Sequence, residues 1–131
     1  MGYYQPCSEL DACNRLIKEY FQTGQYEKCF RGHLTLAEGG YPLAECQVGY
    51  FYHEGLGVEK DLSKAFEWTK RAAEHGDWDA QYNLAGLYEE GTGTAADLER
   101  ASYWYQQAAK QNHELALKKC RELGIIDEQK G

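Results

Sequence analysis

Two stretches of the chain superimpose when shifted by thirty-six residues: Ala44-Glu-Cys-Gln-Val48-Gly49-Tyr50-Phe-Tyr52-His-Glu-Gly55-Leu-Gly57 and Ala80-Gln-Tyr-Asn-Leu84-Ala85-Gly86-Leu-Tyr88-Glu-Glu-Gly91-Thr-Gly93. The register holds through Asp61-Leu62 and Asp97-Leu98, Ala65 and Ala101, Trp68 and Trp104, and Ala72-Ala73 and Ala108-Ala109. Gly40, Gly76 and Asn112 share one phase, as do Ala44, Ala80 and Ala116. A period of this length is the signature of stacked supersecondary units, none of which can bury its apolar face alone.

Each period reads as two helices. Small or apolar residues at 44, 48, 49 and 52 form the stripe of one helical face, and Gly55 and Gly57 end that helix and open a turn. Asp61 and Asp97 stand where an N-cap acceptor is wanted, before Leu62 and Leu98. The second helix carries Ala65, Trp68, Ala72 and Ala73 and stops at Gly76. Asn112 replaces that glycine one unit later, and asparagine is the side chain that best tolerates the left-handed C′ position. Small residues at Gly49/Ala85, Ala65/Ala101 and Ala73/Ala109 let helices approach, and Tyr52/Tyr88 and Trp68/Trp104 are expected to fill the core between them. The expected fold is all-α: a right-handed α-solenoid of about three helix-turn-helix repeats (residues 8–40, 44–76 and 80–112). A capping helix at 113–123 and a tail at 124–131 complete a single domain.

Composition agrees with this reading. The chain has 131 residues, a net charge of −7 from 14 Lys+Arg against 21 Asp+Glu, and 43% hydrophobic residues, including three Trp, eleven Tyr and four Phe. That is too apolar and aromatic for a disordered chain, and too acidic for a surface that binds nucleic acid. No apolar run reaches the roughly 18 residues of a membrane span. Residues 1–7 show no basic or apolar leader region, so a cytoplasmic location is expected, although a mature secreted or periplasmic chain would read the same way. The five cysteines (7, 13, 29, 46 and 120) are an odd number with no C-x-x-C, which excludes a complete disulfide framework and gives no zinc-type spacing beyond Cys29 and His33. They are expected as free thiols, mostly packed as small hydrophobes.

The repeat resembles the Sel-one-like repeat family, a branch of the tetratricopeptide-like solenoids. Residues 44–76 carry its pattern at Ala44, Gly49, Tyr52, Gly55, Gly57, Val58, Asp61, Lys64, Ala65, Trp68, Lys70, Ala72, Ala73 and Gly76. Residues 80–112 depart at Ala85, Thr94, Arg100, Gln107 and Asn112. The first unit, around Tyr20, Gly24 and Cys29, has a shorter turn and is closer to an ordinary tetratricopeptide unit. The resemblance implies a scaffold that binds peptides or domains on the concave surface lined by first helices.

If first helices line a groove, the positions beside the packing stripe should face it. These include Lys18 and Phe21 in the first unit, Cys46, Tyr50, His53 and Glu54 in the second, and Tyr82, Gly86, Glu89 and Glu90 in the third. The surface so assembled is aromatic and acidic, which favours a Lys- or Arg-bearing protein or peptide. Catalysis is not expected. Glu89-Glu90 and His53-Glu54 are adjacent pairs whose side chains point about 100° apart, the four histidines fall at unrelated phases, and no phosphate loop is present. No metal or cofactor is expected. The reading is a non-enzymatic adaptor. The alternative is an immunity-type protein that neutralises a secreted toxin, and a third possibility is end-to-end self-association of the solenoid.

Overall fold

Seven helices, several capped by the repeated acids and glycines, make up the described residues. The computed structural model describes residues 5, 7 and 10–125, so most of the tail at 124–131 lies outside the described residues. The elements are α1 (Asp11–Leu16, running into a π-helical turn, Ile17–Phe21), α2 (Tyr26–Glu38), α3 (Pro42–Glu54), α4 (Leu62–Glu74), α5 (Trp78–Glu90), α6 (Leu98–Lys110) and α7 (Glu114–Leu123). Among the described residues there is no strand. Each helix packs chiefly on its neighbours in the chain, the one-dimensional order of a solenoid.

The caps fall where the repeat places them. Asp61 accepts from the Lys64 N–H at 3.0 Å and Asp97 from the Arg100 N–H at 3.1 Å, satisfying donors that a helix start leaves unpaired. Two of the first helices are capped as well, α5 by Asp77 on the Ala80 N–H and α7 by His113 on the Ala116 N–H. Gly40, Gly76 and Asn112 have φ of +92°, +98° and +65°; Asn112 is the one described non-glycine residue with positive φ.

A second contact recurs one unit apart. His75 pairs with Glu45 at 2.7 Å, and thirty-six residues on Gln111 donates to Gln81 at 2.9 Å. The same junction between the end of one second helix and an earlier first helix is thus made once with an ion-pairing couple and once with two carboxamides.

The core differs from expectation at the two tryptophans. The tryptophans at 68 and 104 are half-buried rims, and the Arg71 guanidinium covers Trp68 at 4.5 Å from the ring centre. The residues one step further on, Thr69 and Tyr105, are fully buried, as are Phe51 and Leu84. Successive helix residues point about 100° apart, so turning 69 and 105 inward turns the indoles toward the edge.

The π-helical turn explains the first unit. The Gln22 N–H donates to the Ile17 carbonyl at 2.9 Å, a five-residue step that adds a residue to the turn and rotates the phase beyond it. Phe21 consequently packs on Tyr26 and Phe51, with ring centres 5.1 and 6.0 Å away. Cys13 and Cys29 lie buried nearby, and burial pushes both thiols up to about 11, leaving them inert packing groups at neutral pH.

Candidate functional site

The first helices α3, α5 and α7 share a face, and an N-terminal segment crosses it. Asn83, fully buried on α5, accepts the Gln5 N–H on Oδ1 at 3.0 Å and donates from Nδ2 to the Gln5 carbonyl at 2.9 Å. One repeat earlier on α3, Gln47 accepts the Cys7 N–H on Oε1 at 3.4 Å. Gln47 and Asn83 occupy the same phase of the period, so two carboxamides form a ladder along the face. A side-chain amide can pair both main-chain groups of one residue only where they point the same way, as in extended backbone.

The segment is also covalently tied. Cys7 and Cys46 form a disulfide with Cα atoms 6.1 Å apart. This corrects two expectations: the cysteines are not all thiols, and Cys46 is fully buried rather than exposed on a groove. The odd count excluded complete pairing, not a single pair, and helix phase could not show that residue 7 would fold over position 46. A cavity of about 330 Å³ continues the face beyond Gln5, between Trp78, His113 and Leu115.

The expected site residues divide into two sets. Lys18, Glu54 and Glu90 are exposed and Tyr50 and His53 half-buried; His53 Nδ1 lies 2.8 Å from the Glu54 carboxylate. Tyr82, expected on the surface, is 5% exposed: its ring stacks on His113 at 4.8 Å and packs against Tyr105 at 5.8 Å. Gly86 is buried too. Phe21 is drawn partly inward, as described above. Glu89 is half-buried, accepts the Tyr105 hydroxyl at 2.7 Å and pairs with Lys119 at 3.3 Å. The acidic cluster therefore does not exist as one: Glu89 is an internal tie between α5, α6 and α7. Periodicity places 113–123 only as a terminal cap and does not show that His113 stacks on Tyr82 or that Lys119 reaches Glu89.

His113 anchors the start of α7. The Ala116 N–H can only donate, so His113 Nδ1 accepts and its proton sits on Nε2, which donates to Asp79 at 2.9 Å. Gln47, Asn83 and Asp77 are the site residues that sequence reasoning missed. The available signal was a carboxamide recurring at one phase of helices that are otherwise small and apolar there.

Asp77 lies beside the disulfide, its carboxylate within 4.8 Å of both sulfurs. Burial is the main cause that pushes its carboxyl from 3.8 up to about 6; the Ala80 N–H opposes and Asp79 reinforces the rise. The folded chain thus holds this proton longer than the unfolded chain. The contribution is fully present below about pH 4 and is lost as pH rises through about 6, a difference of roughly 3 kcal/mol. Asp77→Asn retains an N-cap acceptor without the charge. It is expected to raise the thermal midpoint at pH 7.5 and to flatten stability between pH 4 and 7; an unchanged or lower midpoint at pH 7.5 would contradict this account.

Helical pairs of fixed length, stacked at a period of thirty-six residues with a recurring ladder on one face, define the class: an α-helical repeat solenoid. The Sel1 repeat family model matches residues 42–77 and 78–113, and the chain belongs to that family. A crystal structure of a Sel1 repeat protein from Oxalobacter formigenes is 36% identical, with a TM-score of 0.78 over 88% of this chain and 45% of that one. A protective antigen present in uropathogenic Escherichia coli strains, displaying an SLR fold, is 31% identical, with a TM-score of 0.75 over 86% of this chain and 23% of that one. Shorter matches link the chain to chitin synthase regulator SKT5 of Malassezia restricta, 49% identical over 41 residues, and of Saccharomyces cerevisiae, 41% identical over 50 residues. The matches cover 31% and 38% of this chain but 3% and 7% of those regulators. No helix among the described residues is long and apolar enough to cross a membrane.

Proposed function

We propose that the chain is a non-enzymatic protein-binding scaffold whose first-helix face takes an extended polypeptide segment. The observation that carries this reading is the pair of carboxamides, Gln47 and Asn83, one repeat apart and both hydrogen-bonded to main chain. Main-chain recognition selects for conformation more than for sequence, and the flanking side chains Tyr50, His53, Glu54 and Glu90 supply selectivity at the rim. Charge plays a smaller part than the sequence reading gave it, since Glu89 is committed to Tyr105 and Lys119. The likeness to regulators and to other Sel1 repeat proteins is in keeping with a scaffold.

The test is capture of partners from the source organism's lysate by the full chain, followed by cross-linking mass spectrometry. Cross-links concentrated on α3, α5 and α7, with capture weakened by Glu54→Lys combined with Glu90→Lys, are the expected result. Cross-links confined to the second helices or to the ends of the solenoid would overturn it. Glu89 is left unchanged, because reversing its charge would break an internal contact and confuse binding with folding.

A further inference from the structure

The segment that occupies the first-helix face belongs to the chain itself, and a bond that thiols can cleave holds it there. We propose that Gln5 and Cys7 form a tethered pseudo-ligand: while Cys7–Cys46 is oxidised the Gln47–Asn83 ladder is closed, and reduction opens it to an extended segment of a partner polypeptide. This rests on the scaffold reading above and adds its regulation.

Three observations converge. Asn83 spends both its carbonyl and its amide on Gln5, and Gln47 accepts from Cys7, so an incoming backbone finds both carboxamides already engaged. The disulfide spans 39 residues of sequence and joins that segment to the middle of α3. Without it the balance is close: three hydrogen bonds of ordinary net strength about match the entropy lost in ordering the residues that make them. The covalent bond is therefore what decides occupancy.

The reductant is a dithiol. One of its thiolates attacks Cys7 Sγ, since Cys7 is half-buried whereas Cys46 is fully buried. The S–S bond breaks, and Cys46 leaves as a thiolate that takes up a proton. The second thiol of the reductant then displaces Cys7, which is protonated in turn, and the reductant ends as a disulfide; two electrons and two protons have passed to the protein.

The test uses the full chain and a fluorescent synthetic peptide of residues 1–10 carrying Cys7→Ser, followed by polarisation. Oxidised wild-type chain should bind the peptide at least tenfold more weakly than chain treated with dithiothreitol. The double variant Gln5→Pro/Cys7→Ser removes the tie and the N–H that Asn83 accepts, and so weakens the internal competitor, which otherwise acts at millimolar effective concentration. It should bind most tightly without any reductant. Adding Asn83→Asp, which cannot donate to a carbonyl, should cost tenfold or more with unchanged helical circular dichroism. Hydrogen exchange at the Gln5 and Cys7 amides should be slow in the oxidised chain and fast in the reduced one. Equal affinity in oxidised and reduced chain, no binding to the double variant, or a disulfide-linked dimer in place of the internal bond would each overturn the proposal. Partner capture that cross-links to α3, α5 and α7 equally with and without dithiothreitol would overturn the tether alone and leave the scaffold reading standing.

Discussion

Phe51→Ala is expected to lower the thermal midpoint by roughly 12–20 °C. Phe51 is fully buried, and its ring lies 6.0 Å from Phe21, 6.1 Å from Phe30 and 5.5 Å from His33, centre to centre. Those groups come from the π-helical turn and α2, so one side chain on α3 holds the divergent first unit to the regular repeats. Truncating a buried Phe to Ala costs about 3–5 kcal/mol through lost transfer free energy and the cavity left behind, and for a chain of this size each kcal/mol moves the midpoint by about 4 °C. Trp68→Ala should cost less than the same truncation at Phe51, because the indole is a half-buried rim. Differential scanning calorimetry of both variants is the check. Equal losses would mean that the two rings contribute alike and that the inward phase has been misassigned.

The second large effect comes from a glycine in the turn of the last full repeat. Gly93 has φ of +74°, and a Cβ there would collide with the Leu62 carbonyl oxygen and stand 3.0 Å from the Phe66 Cβ. Gly57, one unit earlier, meets the Tyr26 carbonyl in the same way. Each turn thus seats its second glycine on the opening residue of the preceding unit's second helix, and this main-chain contact joins neighbouring units. Gly76 also has positive φ, +98°, but a Cβ there meets nothing within 4 Å. Gly76→Ala should therefore cost only the left-handed conformation, about 1–2 kcal/mol. Gly93→Ala adds a collision that no rotamer can relieve and should cost roughly 3–5 kcal/mol, on the order of other severe core lesions. Urea unfolding of the pair separates the two terms. Equal midpoints would show that close approach contributes nothing and that conformation alone requires the glycine.

Most of the solenoid was legible because its determinants are local and repeated. Asp61 and Asp97 cap helices whose first residues follow them directly, and Asn112 takes the glycine's place at the expected left-handed position. Legibility failed where a side chain's surroundings come from a distant part of the chain. Tyr82 reads as a groove residue until α7 stacks His113 on it, and Glu89 reads as a free acid until Tyr105 and Lys119 reach it from two other helices. Phe21 failed for a different reason: a π-helical turn breaks the 3.6-residue period on which any face assignment depends.

What the sequence determined by itself was the period, the helix pairs, their caps and the close-packed alanine and glycine positions, since these depend on residues within one unit and its copy. Only the tertiary structure decided that the N-terminal segment lies across α3 and α5, that Cys7 meets Cys46, and that Gln47 and Asn83 bind main chain. Those contacts join residues 39, 40 and 78 positions apart, and no periodicity encodes where a non-repeating segment will settle. Gln5 and Cys7 settle there because paired carboxamides in an otherwise apolar face require partners once buried, and their main chain supplies them.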